Sequence, residues 1–314
     1  MATTPTTGPM LLPSLLLIVT GATLPASTAP AHPEPAALRW GYEGHLMVGA
    51  AAARALPEEM PAFFRQAVGQ LSWLNPEPDR WRSRAERALD PAMDAAHSPE
   101  HYVNFERLPP GALSAPNRYA YLDTLRAHGE SIPGPGLLPH TIRELTQRVR
   151  VGFREWRAAT DPNERAWIEQ RIVNDAGILG HYVADGANPH HTTIHHNGWV
   201  GPNPRGYATD SRVHSRFESE FVRAQVRPEH VEAEMGAPPR VRQDLWHEVL
   251  DYLRGSHALV EALYELDRQV PFGAANTSPE HRRFAARRMA AGAEMLRDLW
   301  WTAWITSEGG ELGR

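Results

Sequence analysis

From Trp40 onward, apolar positions recur at the three-to-four-residue spacing of helices, and runs of alternating apolar and polar residues long enough for strands are absent. The pattern predicts an all-α fold. An Ala-rich helix is expected from about His45 to Leu56, ended by Pro57, and another from about Pro61 to Trp73. Residues 108–138 contain PPGALSAPN and SIPGPGLLP. They read as a long surface connection that could act as a lid, with a short helical piece around Tyr119 to His128. Ile142, Leu145, Val149, Phe153 and Trp156 form the apolar stripe of the next helix. Asp161 and Pro162 then open a helix running to about Asp185, with Gly186 and Pro189 as its stop. A Gly/Pro/Asn-rich loop over 196–210 leads to a helix beginning near Ser211. Two long helices close the chain. One covers about Val241 to Val270, and the other starts at Ser278 and Pro279 and buries Phe284, Met289, Met295, Leu299 and Trp300. No repeat or compositional shift marks a boundary, so residues 40–314 are expected to form one domain.

With 314 residues, 42% of them hydrophobic, the chain can bury a sizeable core, which excludes a disordered or fibrous protein. The net charge of -5 gives no global attraction to nucleic acid or an anionic membrane, so either partner must be held locally. All 32 basic side chains are Arg, a compositional habit from which no function follows. The absence of Cys excludes disulfides, a thiol nucleophile and thiolate metal sites; any metal must be held by His and carboxylates. At the start of the chain, Met10 to Val19 is apolar apart from Pro13 and Ser14, and Ala29-Pro30-Ala31 resembles a signal-peptidase site. A signal peptide over 1–31, a short propeptide or linker over 32–39, and a secreted or periplasmic location are therefore expected. The apolar run is shorter than the ~20 residues of a spanning helix. The lack of Lys or Arg before Arg39 departs from the usual positive n-region.

Candidate chemistry begins with His181 and Asp185, four residues apart and so on one helix face. His191 follows just after Pro189, where a bend can turn its ring back toward them, and His214 and Glu218 repeat the four-residue spacing. Singly, such pairs are most often solvated ion pairs. Here both sit beside large apolar residues (Ile178, Leu179, Tyr182 and Val183; Phe217, Phe221 and Val222). An unpaired charge pointing inward there would be costly without a metal. Two helices that each present an imidazole and a carboxylate resemble the way helical bundles build polynuclear metal sites.

Upstream, Trp40 to His45 reads WGYEGH, Asp79 lies in PDRWR and His101 in HSPEHYVNFE. In this order the residues resemble the zinc-dependent phospholipase C and S-one/P-one nuclease superfamily, over the stretch from Trp40 to Glu218. The resemblance implies a helical domain with three zinc ions at the bottom of a cleft. One zinc would take Asp79, His101, His181 and Asp185, with Asp185 bridging to a second held by His45 and by the amino group and carbonyl of Trp40. The third would take His191, His214 and Glu218. His190 is an alternative to His191, which keeps the six-residue offset from Asp185; His97, His195 and His196 lie outside the pattern. A terminal amine at Trp40 requires cleavage after Arg39, a second cut beyond the one that would leave His32 first.

The implied chemistry is attack of a zinc-activated water on phosphorus, giving a phosphomonoester and an alcohol. Asp79 is the candidate catalytic residue, orienting or deprotonating that water. Glu43 and Tyr102 are candidate substrate-binding residues, although Arg80 and Ser98 stand where aromatics would complete a choline cage. WGYEGH is closer to the nucleases, whereas Glu218, the absence of Cys and the acidic balance are closer to the phospholipases. The expectation is a secreted, phospholipase C-like zinc phosphodiesterase. A single-strand nuclease on the same centre and a non-catalytic zinc-binding protein are the alternatives. The substrate would be a phospholipid or single-stranded nucleic acid, with transient membrane contact and no obligate protein partner. Trp199 could serve a substrate or the core, and helical spacing assigns Trp300 and Trp304 to the core.

Overall fold

The computed structural model describes Met1 and residues 41–309; Trp40 and, Met1 apart, the expected signal peptide and linker lie outside them. Among the described residues there is no strand, only an isolated bridge between Val103 and Gly136, and the fold is all-α. The helices that build the core and the site are α1 (Gly41–Arg54), α2 (Val68–Leu74), α3 (Glu77–Trp81) and α4 (Leu138–Ala158). After these come α5 (Pro162–Ala187), α6 (Leu245–His257), α7 (Val260–Gln269) and α8 (Pro279–Ile305). No described helix is long and apolar enough to cross a membrane.

Helix α5 is the axis of the core. The Asp161 carboxylate accepts hydrogen bonds from the Asn163 and Glu164 N–H groups and Pro162 supplies the first turn, so the helix starts where its sequence predicts. Its last three turns, from Ala176 to Ala187, are buried on almost every face, and α1, α2, α4, α6 and α8 pack around it. Trp300 of α8 is fully buried against it and donates its indole N–H to the Ala176 carbonyl at 3.3 Å. Close approach is made possible by missing side chains. A Cβ at Gly177 would lie 2.4 Å from Leu74 Cβ, and one at Gly180 would lie 2.3 Å from Asn75 Nδ2. Across the gap, a Cβ on Gly49 of α1 would lie 3.1 Å from the same Asn75 nitrogen. The end of α2 is thus wedged between α1 and α5.

Several boundaries differ from the sequence expectation for tertiary reasons. Gly186 does not stop α5: a Cβ there would meet Leu253 Cδ2 at 2.7 Å, so the glycine admits α6 while the helix continues to Ala187. The stop is Asn188, held extended by the following proline. The expected helix over 241–270 is two helices, α6 capped by Asp244 and α7, with a break after His257, whose Nδ1 donates to the Thr192 carbonyl at 2.9 Å. The expected helix over 61–73 breaks at Ala67, whose N–H turns back to the Phe64 carbonyl, three residues earlier. Within 108–138 the helix is Arg118–Ala127, capped by Asn117. Ala112, Ala115, Tyr121, Leu125 and Leu137 give this connection an apolar cluster of its own. Met289, Met295, Leu299 and Trp300 are buried as expected, while Phe284 is half-buried.

Gly180→Ala is expected to destabilise the protein by about 1–3 kcal/mol, the usual cost of overpacking, because Asn75 cannot retreat between α1 and α5. Denaturant unfolding checks this, and a loss below about 0.5 kcal/mol would show that the wedge is loose.

Candidate metal centre

The cluster is assembled from short-range rules. On α5, His181 and Asp185 lie one turn apart. His45 comes from α1 and Asp79 from α3, while His101 closes a 3₁₀ turn over Ser98–His101. Pro189 prevents α5 from continuing and opens a second 3₁₀ turn, Pro189–Thr192, that carries His191. These two turns are stitched together, since Val103 N–H bonds the His191 carbonyl at 2.9 Å and His191 Nδ1 donates to the His101 carbonyl at 2.7 Å. His214 lies in the short helix Val213–Ser215 that replaces the start expected at Ser211, and Glu218 in a π-helical turn, Arg216–Phe221. Single π turns of this kind are frequent at functional sites.

Asp185, 1% exposed, is the hub. One carboxylate oxygen lies 3.5 Å from His45 Nε2 and 3.7 Å from His191 Nδ1. The other lies 2.9 Å from His101 Nδ1 and 3.3 Å from His181 Nε2. Asp79 Oδ1 is 4.0 Å from His181 Nε2. Glu218 Oε2 is 2.8 Å from His214 Nε2 and 3.5 Å from His191 Nε2, and Asn188 Nδ2 donates to it at 3.2 Å. Three groups have ligand atoms within 4.8 Å of one another: His45, Asp79 and His181; His101, His181 and Asp185; and His191, His214 and Glu218. Every candidate ligand from His45 to Glu218 therefore falls in one cluster. Asp79 groups with His45 as well as with His181, and Trp40 lies outside the described residues.

Burial sets the protonation pattern. Desolvation, with His181 alongside, holds His45 well below the usual imidazole range. Desolvation also takes His101 down to about 3 despite its bond to Asp185. Asp79 is pushed up to about 6 by burial, against the pull of His181. For Asp185 burial also pushes upward but is outweighed by His191 and His181, which hold it well below the carboxylate range. His214 and His191 overcome burial in the same way to lower Glu218. His191 rises to about 9 because Asp185 and Glu218 outweigh its desolvation.

These donors fit a metal. The ring nitrogens His45 Nε2 and His101 Nε2 are buried without a hydrogen-bond partner. His45 Nδ1 donates to Asn75 Oδ1 and His181 Nδ1 to the Asn75 carbonyl, both at 2.9 Å, so the two Nε2 atoms are left to the centre. Imidazole and carboxylate donors without thiolate suit zinc.

Sequence reasoning missed Asn75, which carries no ligand spacing and acts half through its backbone, and Arg82. Buried Arg82 donates to Asp94 Oδ1 at 3.0 Å and to Ser98 Oγ at 3.1 Å, and its charge lowers both His101 and Asp79. A cavity of about 270 Å³ adjoins the cluster, lined by His101, Tyr102, His190, His191, His196 and His214 among others. Tyr102 therefore borders the site, its hydroxyl donating to the Pro133 carbonyl at 2.8 Å. Glu43 does not line this cavity. Trp199 stacks on His195, with ring centroids 3.9 Å apart, and His97 faces Glu100. Arg80 lies over the Trp73 ring. His190 and His191 both line the cavity, but only His191 belongs to a donor group.

Asn75→Ala is expected to weaken zinc binding roughly 10- to 100-fold, as loss of a partner behind the ligands does, read by competition with a chelator. A zinc ion bound here would displace a proton from His191 below about pH 9 and from Asp79 below about pH 6. Its affinity is therefore expected to rise from pH 6 to 9 with proton release, measurable by calorimetry in buffers of different ionisation enthalpy. No family model, curated protein or solved structure matches the chain.

Proposed function

We propose that the protein is a secreted, zinc-dependent phosphodiesterase of the phospholipase C type. Its helical fold would then belong to the phospholipase C and S-one/P-one nuclease superfamily that the ligand order resembles. The supporting observation is the juxtaposition of three nitrogen and oxygen donor groups in one buried cluster that adjoins a cavity. A structural zinc site is normally closed by four protein ligands, whereas these groups offer three residues each, with His181 common to two of them, and leave positions for water and substrate.

Zinc at such a centre supplies Lewis acidity toward phosphoryl oxygens and a lowered pKa for water. The chain supplies the rest. Asp79, buried beside His181, would hold the metal and orient its water. Asp185 and Glu218 hold the imidazoles, and Asn75 fixes the rings of His45 and His181. Arg82, paired with Asp94, lowers both Asp79 and His101 through its charge. Tyr102 and His196, whose rings lie nearly parallel at 6.5 Å, flank the cavity and would contact the group leaving with the alcohol oxygen.

The test offers zinc-loaded protein beginning at Trp40 phosphatidylcholine vesicles and single-stranded DNA in parallel, with a chelator control. Chelator-sensitive release of phosphocholine is expected; cleavage of DNA alone would establish the nuclease type, and cleavage of neither despite bound zinc would overturn the reading. Asp185→Asn is expected to lose zinc and to slow hydrolysis roughly 10³-fold or more, on the order of 4 kcal/mol of barrier. Full activity in that variant would remove Asp185 from the centre.

A further inference from the structure

A second cavity, of about 860 Å³, lies between the first turns of α4 and the start of α6 and shares no lining residue with the cavity at the donor cluster. Its chemistry is different. Arg143, Arg148 and Arg150 of α4 line it and make no ion pair among the described residues. Two carboxylates also line it: Glu144 pairs with Arg118 at 2.6 Å, and Asp244 caps α6 and lies 2.8 Å from the exposed His247 ring. The three guanidinium groups thus outnumber the one lining carboxylate that no arginine engages, Asp244, although Arg148 also lies in the field of Asp175. His140, on the first turn of α4, also lines the cavity; it is 2% exposed and its Nε2 has no hydrogen-bond partner.

The site is also pre-shaped. The Arg143 guanidinium lies over the Trp246 ring, 5.3 Å from its centroid, and donates to the Pro116 carbonyl at 3.1 Å, which fixes its fork. Trp246 is held in turn by its indole N–H to the Leu113 carbonyl at 2.9 Å and by the His140 ring at 5.0 Å. Burial and the nearby Arg118 and Arg143 push His140 down to about 4, so at neutral pH its ring is uncharged and one nitrogen carries a hydrogen it can donate. Tyr119, 75% exposed, adds an aromatic face at the rim.

We propose that this cleft is a second ligand site, binding the phosphate group of a small organic phosphate through Arg143, Arg148, Arg150 and the buried His140. Guanidinium forks bind phosphate oxygens in pairs, and a fixed fork loses less entropy in doing so. The organic part would lie against Trp246 and Tyr119.

The experiment is calorimetric titration of the zinc-loaded full chain with inorganic phosphate and, separately, with adenosine 5′-monophosphate. It is run on the wild type and on the double variant Arg143→Gln, Arg150→Gln. Phosphate binding at the donor cluster is common to both proteins; the cleft should appear as a component that the double variant weakens about tenfold or more while zinc content stays unchanged. Arg148→Gln, at an exposed position, gives a second variant should the double one melt early, and it should weaken the same component. A tighter fit for adenosine 5′-monophosphate than for inorganic phosphate would show that the aromatic rim is used, and equal affinities would assign recognition to the phosphate alone. Isotherms that coincide for wild type and both variants, or no binding beyond the donor cluster, would overturn the proposal.

Discussion

A carboxylate with almost no contact with water, Asp185, is the constraint on which the rest of the structure depends. An isolated buried carboxylate costs several kcal/mol; the rings of His45, His101, His181 and His191 all lie within 3.7 Å of its oxygens, and the compensation comes from His191, His181 and the bond to His101. Those rings arrive from α1, a 3₁₀ turn, α5 and a second 3₁₀ turn, so each element must stop or bend where the geometry of one side chain demands. Dry surroundings for the hub require α5 to be enclosed over its last three turns. That enclosure in turn requires glycine at 177, 180 and 186, where α2, Asn75 and α6 press closest. The glycines and the histidines are two parts of one requirement.

Asn75 shows how such a centre is held without adding charge. Its side chain accepts from His45 and its backbone carbonyl from His181, two rings that stack 4.0 Å apart. A carboxylate in the same place would orient the rings equally well but would bring another buried negative charge beside Asp79 and Asp185. The amide holds the tautomers and leaves the charge balance unchanged. The wedge that confines Asn75 between Gly49 and Gly180 therefore serves the donors as much as it serves the core.

Periodicity made the helical class, the Asp161 start of α5 and the buried faces of α4 and α8 legible, because each depends on the residue types along one helix. That the candidate ligands from His45 to Glu218 would meet was expected from their order and resemblance; spacing alone reached only the pairs on α5 and around His214. What escaped depends on distant partners. Gly186 reads in sequence as a helix stop, yet its role is set by Leu253, dozens of residues away. The break after His257 follows from a bond to Thr192, and nothing within 241–270 announces it. Asn75 and Arg82 act through a backbone carbonyl and through charge at a distance, and neither leaves a pattern in the chain.

Net charge, finally, says little about where such a chain can hold an anion. Fields between exposed charges fade beyond about 8 Å at physiological salt, so a chain of net charge -5 can still contain strongly positive hollows. What decides is how local carboxylates are committed. At the donor cluster they are spent on imidazoles, and the nearby Arg82 is itself paired with Asp94. In the cleft beside α4, Glu144 is paired with Arg118, and Arg143, Arg148 and Arg150 outnumber the remaining Asp244. An acidic total and a basic cleft are compatible because burial and pairing act over single contacts, while the sum over the chain acts over none.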